Sequence, residues 1–194
     1  MPVNRSLATD RAQLRMLHID CLMSNALVKP GNGTLNTSTT SSGKISSASF
    51  SPSNGGESYT QIFYYTSSGM LSSWSISFAG ATEDISEQFY YTSANQLSSW
   101  SRSYSGSTED VSEQFYYTSS GRLSSWSRSY SGSTEDVYEQ FYYTSSDQVS
   151  SWSRSYSGSS DDESANIYYA SNGSVSSIST NGTNLSGFAP ASCP

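Results

Sequence analysis

Through most of this chain, large side chains alternate with small hydroxyls at a period of two. In the run Leu123 to Tyr130 (LSSWSRSY), Trp126, Arg128 and Tyr130 alternate with serines. This is the period of a strand with one covered face, and no helical period of 3.6 competes with it. The pattern also recurs at longer range. FYYTS begins at Phe63, Phe89, Phe115 and Phe141, and IYYAS follows at Ile167, all at one constant step. LSSWS begins at Leu71, Leu97 and Leu123, followed at the same step by VSSWS at Val149 and VSSIS at Val175. An eroded copy starts at Ser41, where SSGKI stands one step before the SSGML of Ser67 to Leu71. A fixed period of this kind marks a repeat architecture.

Each repeat predicts two strands and two turns. In one copy, 111–118 and 123–130 are the strands, and 119–122 (SSGR) is a tight hairpin turn with Ser120 and Gly121 central. The stretch 131–136 (SGSTED) links one hairpin to the next. A two-residue turn sets Thr118 opposite Leu123, and hence Phe115 opposite Trp126, Glu113 opposite Arg128 and Val111 opposite Tyr130. The Phe–Trp, Glu–Arg and Val–Tyr pairs share one face. The link would set Tyr130 opposite Val137 and Arg128 opposite Glu139, placing each Trp between two Phe. The end copies agree with a Glu–Arg pairing: Gln61 and Ile76 replace both charges in one, Ala165 and Thr180 in the other. As exposed or half-exposed pairs, Glu87–Arg102, Glu113–Arg128 and Glu139–Arg154 would each contribute roughly 0.2–1 kcal/mol.

The opposite face is wet. It carries Ser112, Gln114, Tyr116 and Thr118, set against Leu123, Ser125, Ser127 and Ser129. About eleven or twelve strands follow, in an all-β fold of tandem 26-residue β-hairpins. A flat sheet of that width would expose its aromatic face, so coiling, closure towards a barrel or a partner must cover it; a curled or spiralling antiparallel sheet is the expectation. The expected organisation is an N-terminal tail and linker at 1–40, the hairpin repeats at 41–186 and a C-terminal tail at 187–194. A short amphipathic helix at 9–27 or a frayed tail both suit the first segment.

Composition sharpens this picture. The chain has 194 residues and a net charge of −7, which argues against nucleic acid and anionic membrane surfaces. No run of 18 apolar residues predicts membrane insertion. The charge is uneven: residues 45–194 hold 4 Lys and Arg against 14 Asp and Glu, whereas 1–44 are net basic. Such acidity would help hold ribbons apart, although self-association along sheet edges remains open. Cys21 and Cys193 lack metal-ligand spacing, and their pairing would require the ends to meet. Asn-x-Ser/Thr triplets stand at Asn4, Asn32, Asn36, Asn172, Asn181 and Asn184, a mild glycosylation signal. No clear signal peptide begins the chain.

Catalytic chemistry is hard to assemble. His18 is the single histidine, so a His-activated nucleophile has no base within the repeats. The carboxylate pairs Glu109–Asp110 and Glu135–Asp136 are weak metal candidates. Equivalent turns lie about 9.5 Å apart, too far for two to share one calcium ion, and the simpler reading is solvated turn charge. No cofactor is expected. The recurring Tyr64, Tyr90, Tyr116, Tyr142 and Tyr168, flanked by Gln88, Gln114 and Gln140, could stack on a sugar chain. Alternatively, these rings cover the sheet against Leu71, Leu97 and Leu123.

The stretch 115–123 (FYYTSSGRL) resembles the YD repeats of the RHS family, whose motif reads Tyr-x-Tyr-Asp-x-x-Gly-Arg-Leu. Phe115, Tyr117, Gly121, Arg122 and Leu123 fit it, and Thr118 stands at the motif aspartate. The resemblance covers 41–186 and implies strips of β-hairpins, without catalytic residues, on secreted or cell-surface proteins. The expected function is therefore a non-enzymatic, extracellular or cell-surface protein with a structural or adhesive display role, or alternatively a lectin-like module that binds carbohydrate through the Tyr row.

Overall fold

The computed structural model describes residues 32–158 and 162–181. The proposed helix at 9–27, His18, Cys21, Cys193 and the tail at 187–194 lie outside them. Twelve strands follow in order: β1 (Gly33–Thr39), β2 (Ile45–Pro52), β3 (Tyr59–Tyr65), β4 (Leu71–Phe78), β5 (Ile85–Tyr91), β6 (Leu97–Tyr104), β7 (Val111–Tyr117), β8 (Leu123–Tyr130), β9 (Val137–Tyr143), β10 (Val149–Tyr156), β11 (Glu163–Tyr169) and β12 (Val175–Asn181). They pair in sequence order as one antiparallel sheet, so the all-β hairpin-repeat fold holds. The chain divides into two compact units, one holding β1–β6 and the other β9–β12, with the division inside β7 and at the end of β8.

The first strand corrects the expected boundary. Gly33–Thr39 falls in the stretch assigned to the linker, yet it pairs with β2, with Leu35 opposite Phe50 and Thr37 opposite Ala48. It is the first half of a repeat whose aromatic positions have been lost: Thr37 stands one repeat before Phe63, and Thr39 one repeat before Tyr65. Without its large side chains the alternation could not be seen.

Within each hairpin the expected face and pairing hold. In the first unit Phe63 faces Trp74, Phe89 faces Trp100 and Glu87 faces Arg102. In the second, Phe141 faces Trp152 and Glu139 faces Arg154. The turn, however, is not the two-residue one. The Thr118 N–H donates to Arg122 O at 2.7 Å and the Gly121 N–H to Thr118 O at 2.9 Å, closing a three-residue loop. The third loop residue is left-handed in each copy: φ is 82° at Gly69 and Gly121, 61° at Asn95, 62° at Asp147 and 79° at Gly173. Thr118 Oγ1 accepts the Arg122 N–H at 3.1 Å, which anchors the turn.

This turn shifts the register by one, and a bulge shifts it back. Tyr91 faces Leu97 but Tyr90 faces Ser99, so Ser98 has no opposite number. The same step separates Tyr65–Leu71 from Tyr64–Ser73. A turn followed by a bulge is a common hairpin solution. It has one large consequence. Leu97, Leu123 and Val149 move from the wet face to the aromatic one, where they are 1%, 2% and 3% exposed. The expectation that Leu71, Leu97 and Leu123 underlie the Tyr row is thereby corrected. Asn95→Gly should stabilise the protein by about 0.5–1 kcal/mol, and Gly121→Ala should destabilise it by about 1–2 kcal/mol, because an L side chain is strained at these angles; denaturant midpoints would measure both.

Between hairpins the register differs from expectation by two residues. Trp74 faces Glu87 and Ile76 faces Ile85; Trp126 faces Glu139 and Arg128 faces Val137. Each Trp of these pairs therefore lies between a Phe and a Glu, not between two Phe. A two-residue slip keeps every side chain on its face, so alternation alone could not distinguish the registers. At the junction of β4 and β5 the observed one sets the Trp74 indole beside Glu87. Glu87, Glu113 and Glu139 are 3%, 1% and 0% exposed, not surface charges as expected, and a buried carboxylate needs donors. Trp74 Nε1 donates to Glu87 Oε2 at 2.7 Å, while Arg102 Nε donates to Oε1 at 2.7 Å. In the second unit Trp126 Nε1 and Arg128 Nε donate to Glu113 at 3.1 and 2.7 Å. Arg128 and Arg154 also lie over their Trp rings, 5.3 and 5.5 Å from the centroids.

Candidate ligand-binding face

Alternation sends the two tyrosines of each FYYT to opposite faces, and they do different work. The second one staples hairpins together. Tyr91 Oη donates to Leu71 O at 2.7 Å, Tyr143 Oη to Leu123 O at 2.6 Å and Tyr169 Oη to Val149 O at 2.7 Å. Burial pushes the hydroxyl pKa up at Tyr91 and Tyr143, and to about 12 at Tyr117.

The first tyrosine points the other way. Tyr64, Tyr90, Tyr116, Tyr142 and Tyr168 are 54–58% exposed. Tyr90 Oη donates to Gln88 Oε1 at 2.8 Å, Tyr116 Oη to Gln114 Oε1 at 2.7 Å and Tyr142 Oη to Gln140 Oε1 at 3.1 Å. The glutamines thus hold the rings in place along the strand. Between Tyr-bearing strands runs a serine strand: Ser73 faces Tyr64 on one side and Gln88 on the other. Successive Tyr of one unit are therefore two strands apart, about 9.5 Å.

In the first unit this face is indented. Thr66, Met70, Ser72, Ser73, Gln88 and Tyr90 contribute to the lining of a cleft of about 460 Å³. Ser72 is the bulge residue of β4, so the device that buries the leucines also shapes the cleft. It brings together Gln88 and Tyr90 of the sequence-based candidates. Tyr138 lies outside those candidates, although it replaces the serine found at Ser86 and Ser112. Its Oη accepts from Gln140 Nε2 at 2.6 Å, extending the polar row along β9. An aromatic ring beside amide and hydroxyl groups can stack on an apolar ligand face and hydrogen-bond at its rim.

The acidic turns have an internal role. Asp110 Oδ1 accepts the Tyr104 N–H at 2.9 Å, and the N–H groups of Asp110 and Asp136 donate to Ser131 and Ser157 Oγ at 2.9 and 3.0 Å. The turn glutamates reach into the following turn. Glu83 Oε1 accepts the N–H groups of Ser107 and Thr108 at 2.6 and 3.4 Å. The Thr108 side chain, followed by the Ser107 N–H, holds the Glu83 carboxyl below the usual carboxylate range. A Cβ on Gly132 would collide with the Glu109 carboxylate, and one on Gly158 would press on that of Glu135. Asp110 thus closes its own turn and Glu83 reaches the next, while the Glu109 carboxylate lies against Gly132, that of Glu135 near Gly158, and Asp136 donates through its N–H. Among the described residues no cluster of three or more His, Cys, Asp or Glu could hold a metal ion, and no helix is long and apolar enough to cross a membrane.

In comparisons with known proteins, no family model matches the chain and no curated protein matches it.

Proposed function

We propose that this chain is a non-enzymatic, secreted or cell-surface repeat protein whose hairpin sheet is a scaffold for an adhesive face. The observation that carries this reading is the division of labour between the two faces. Buried Glu87, Glu113 and Glu139 accept from Arg side chains, and the turn carboxylates of Asp110 and Glu83 accept from backbone N–H groups. What is repeated and left facing outward is the Tyr row, 54–58% exposed. A regular row offers one weak contact many times, which suits multivalent attachment. Kinship with YD repeats fits this reading: Thr118 stands at the motif aspartate and supplies the oxygen that accepts the Arg122 N–H, a service aspartate also performs in turns.

The cleft beside Tyr90 favours a second reading, in which the ligand is carbohydrate. Its ring, amide and hydroxyl lining is the chemistry that a sugar chain demands. Probing a glycan array with wild type and with a Tyr64→Ala/Tyr90→Ala double variant tests it. Bound glycans should lose about tenfold in affinity for each Tyr removed, while the unfolding free energy stays within about 0.5 kcal/mol of wild type, as for exposed positions. No binding across the array would sink the sugar reading. The adhesive reading would then rest on cell-binding by protein-coated beads, and equal binding by wild type and variant would sink that too.

A further inference from the structure

The end strands β1 and β12 each have one neighbour in the sheet order. Neither GTLNTST nor VSSISTN carries a charge or a proline, the devices that commonly blunt a sheet edge. Every residue of β1 is exposed, including Leu35 at 37%. The two edges also complement each other through the repeat. Across each junction between hairpins, a Trp-position residue faces the residue at the Glu position of the next hairpin: Trp74 faces Glu87, Trp126 faces Glu139 and Trp152 faces Ala165. In β12 the Trp position is Ile178. In β1 the Glu position is Leu35, one repeat before Gln61. The Arg position of β12 is Thr180, so the ionic pair of the interior repeats is missing from both ends and an apolar pair stands ready instead.

We propose that β12 of one copy pairs antiparallel with β1 of a second copy, continuing the sheet with Ile178 opposite Leu35, Ser177 opposite Asn36 and Thr180 opposite Gly33. The occupant of each edge is the opposite edge of an identical chain. Such a contact is heterologous, so it extends into linear assemblies unless rotation closes a ring. The acidity of 45–194 disfavours contacts between the turns of different copies and leaves the uncharged edges as the least repelled surfaces. The proposal goes beyond the adhesive reading and stands whether or not the outer face binds a ligand; assembly would lengthen the Tyr row.

Sedimentation velocity on the full chain across a concentration series tests it. Wild type should show mass rising with concentration. Leu35→Lys and Ile178→Glu should each weaken association at least about tenfold, because each would bury a lone charge at the junction. Both should retain the wild-type β-sheet circular dichroism, since the substitutions are on edge strands. An equimolar mixture of the two variants should regain assembly beyond the dimer: dimers form through the junction left unmodified on both sides, and further growth needs the two introduced, opposite charges to meet at the same register position. Wild type that stays monomeric throughout overturns the proposal. So does association that neither substitution weakens, and a mixture that stops at the dimer overturns the Ile178–Leu35 register.

Discussion

Glu139→Ala is expected to destabilise the protein by about 3–5 kcal/mol, seen as a lower urea midpoint at unchanged slope. The Glu139 side chain is fully buried, and Arg154 Nε and Nη2 donate to its Oε1 at 3.0 and 2.7 Å. The Arg154 side chain is itself only 7% exposed. Removing the carboxylate leaves a buried guanidinium whose other carboxylate, Glu163, stands 3.7 Å away. That distance is too long to replace two charge-assisted hydrogen bonds. The double variant Glu139→Met/Arg154→Met should recover most of the loss, because removing both ions also removes their desolvation cost. A single-variant loss below about 1 kcal/mol would show a solvated pair of the surface kind and refute the buried network.

Trp126→Ala should cost a similar amount, about 3–5 kcal/mol, by leaving a cavity in the aromatic face. Trp126 is 2% exposed, lies under the Arg128 guanidinium and donates to Glu113 at 3.1 Å. Trp126→Phe separates these contributions. It keeps much of the volume but removes the indole N–H, and should cost about 1–3 kcal/mol for one weakened donor to a buried carboxylate. An alanine variant within about 1 kcal/mol of wild type would place the ring in solvent. The two experiments test different halves of one design: the Trp supplies apolar area, and the Glu–Arg pair supplies a register that apolar contacts alone would not specify.

Much of this fold could be read from single repeats. Pairing Phe89 with Trp100 and Glu87 with Arg102 needed only alternation and the joint loss of both charges in the end copies. The exposed side of Tyr64, Tyr90, Tyr116, Tyr142 and Tyr168 followed from the same period. Two errors in the hairpin cancelled: the turn is one residue longer than expected, and a bulge at Ser98 restores the count. The pairing farther along therefore holds, and the residues next to the turn, Leu71, Leu97, Leu123 and Val149, lie on the aromatic face rather than the wet one. Strand β1 was missed because Thr37 and Thr39 replace the aromatics that made its later copies visible.

The sequence by itself determined the spacing of the repeats, their strand character and, away from the turn, which residues of a hairpin share a face. These depend on interactions between near neighbours in the chain, and a two-residue period expresses them directly. Only the tertiary structure decided the stagger between hairpins, the burial of Glu87, Glu113 and Glu139, and the reach of Glu83 into the turn of Ser107 and Thr108. Registers two residues apart present the same faces, so local pattern leaves them degenerate. Where Trp74 meets Glu87, what separates them is a buried carboxylate's need for the indole N–H, a donor from the neighbouring hairpin that only assembly of the sheet brings alongside.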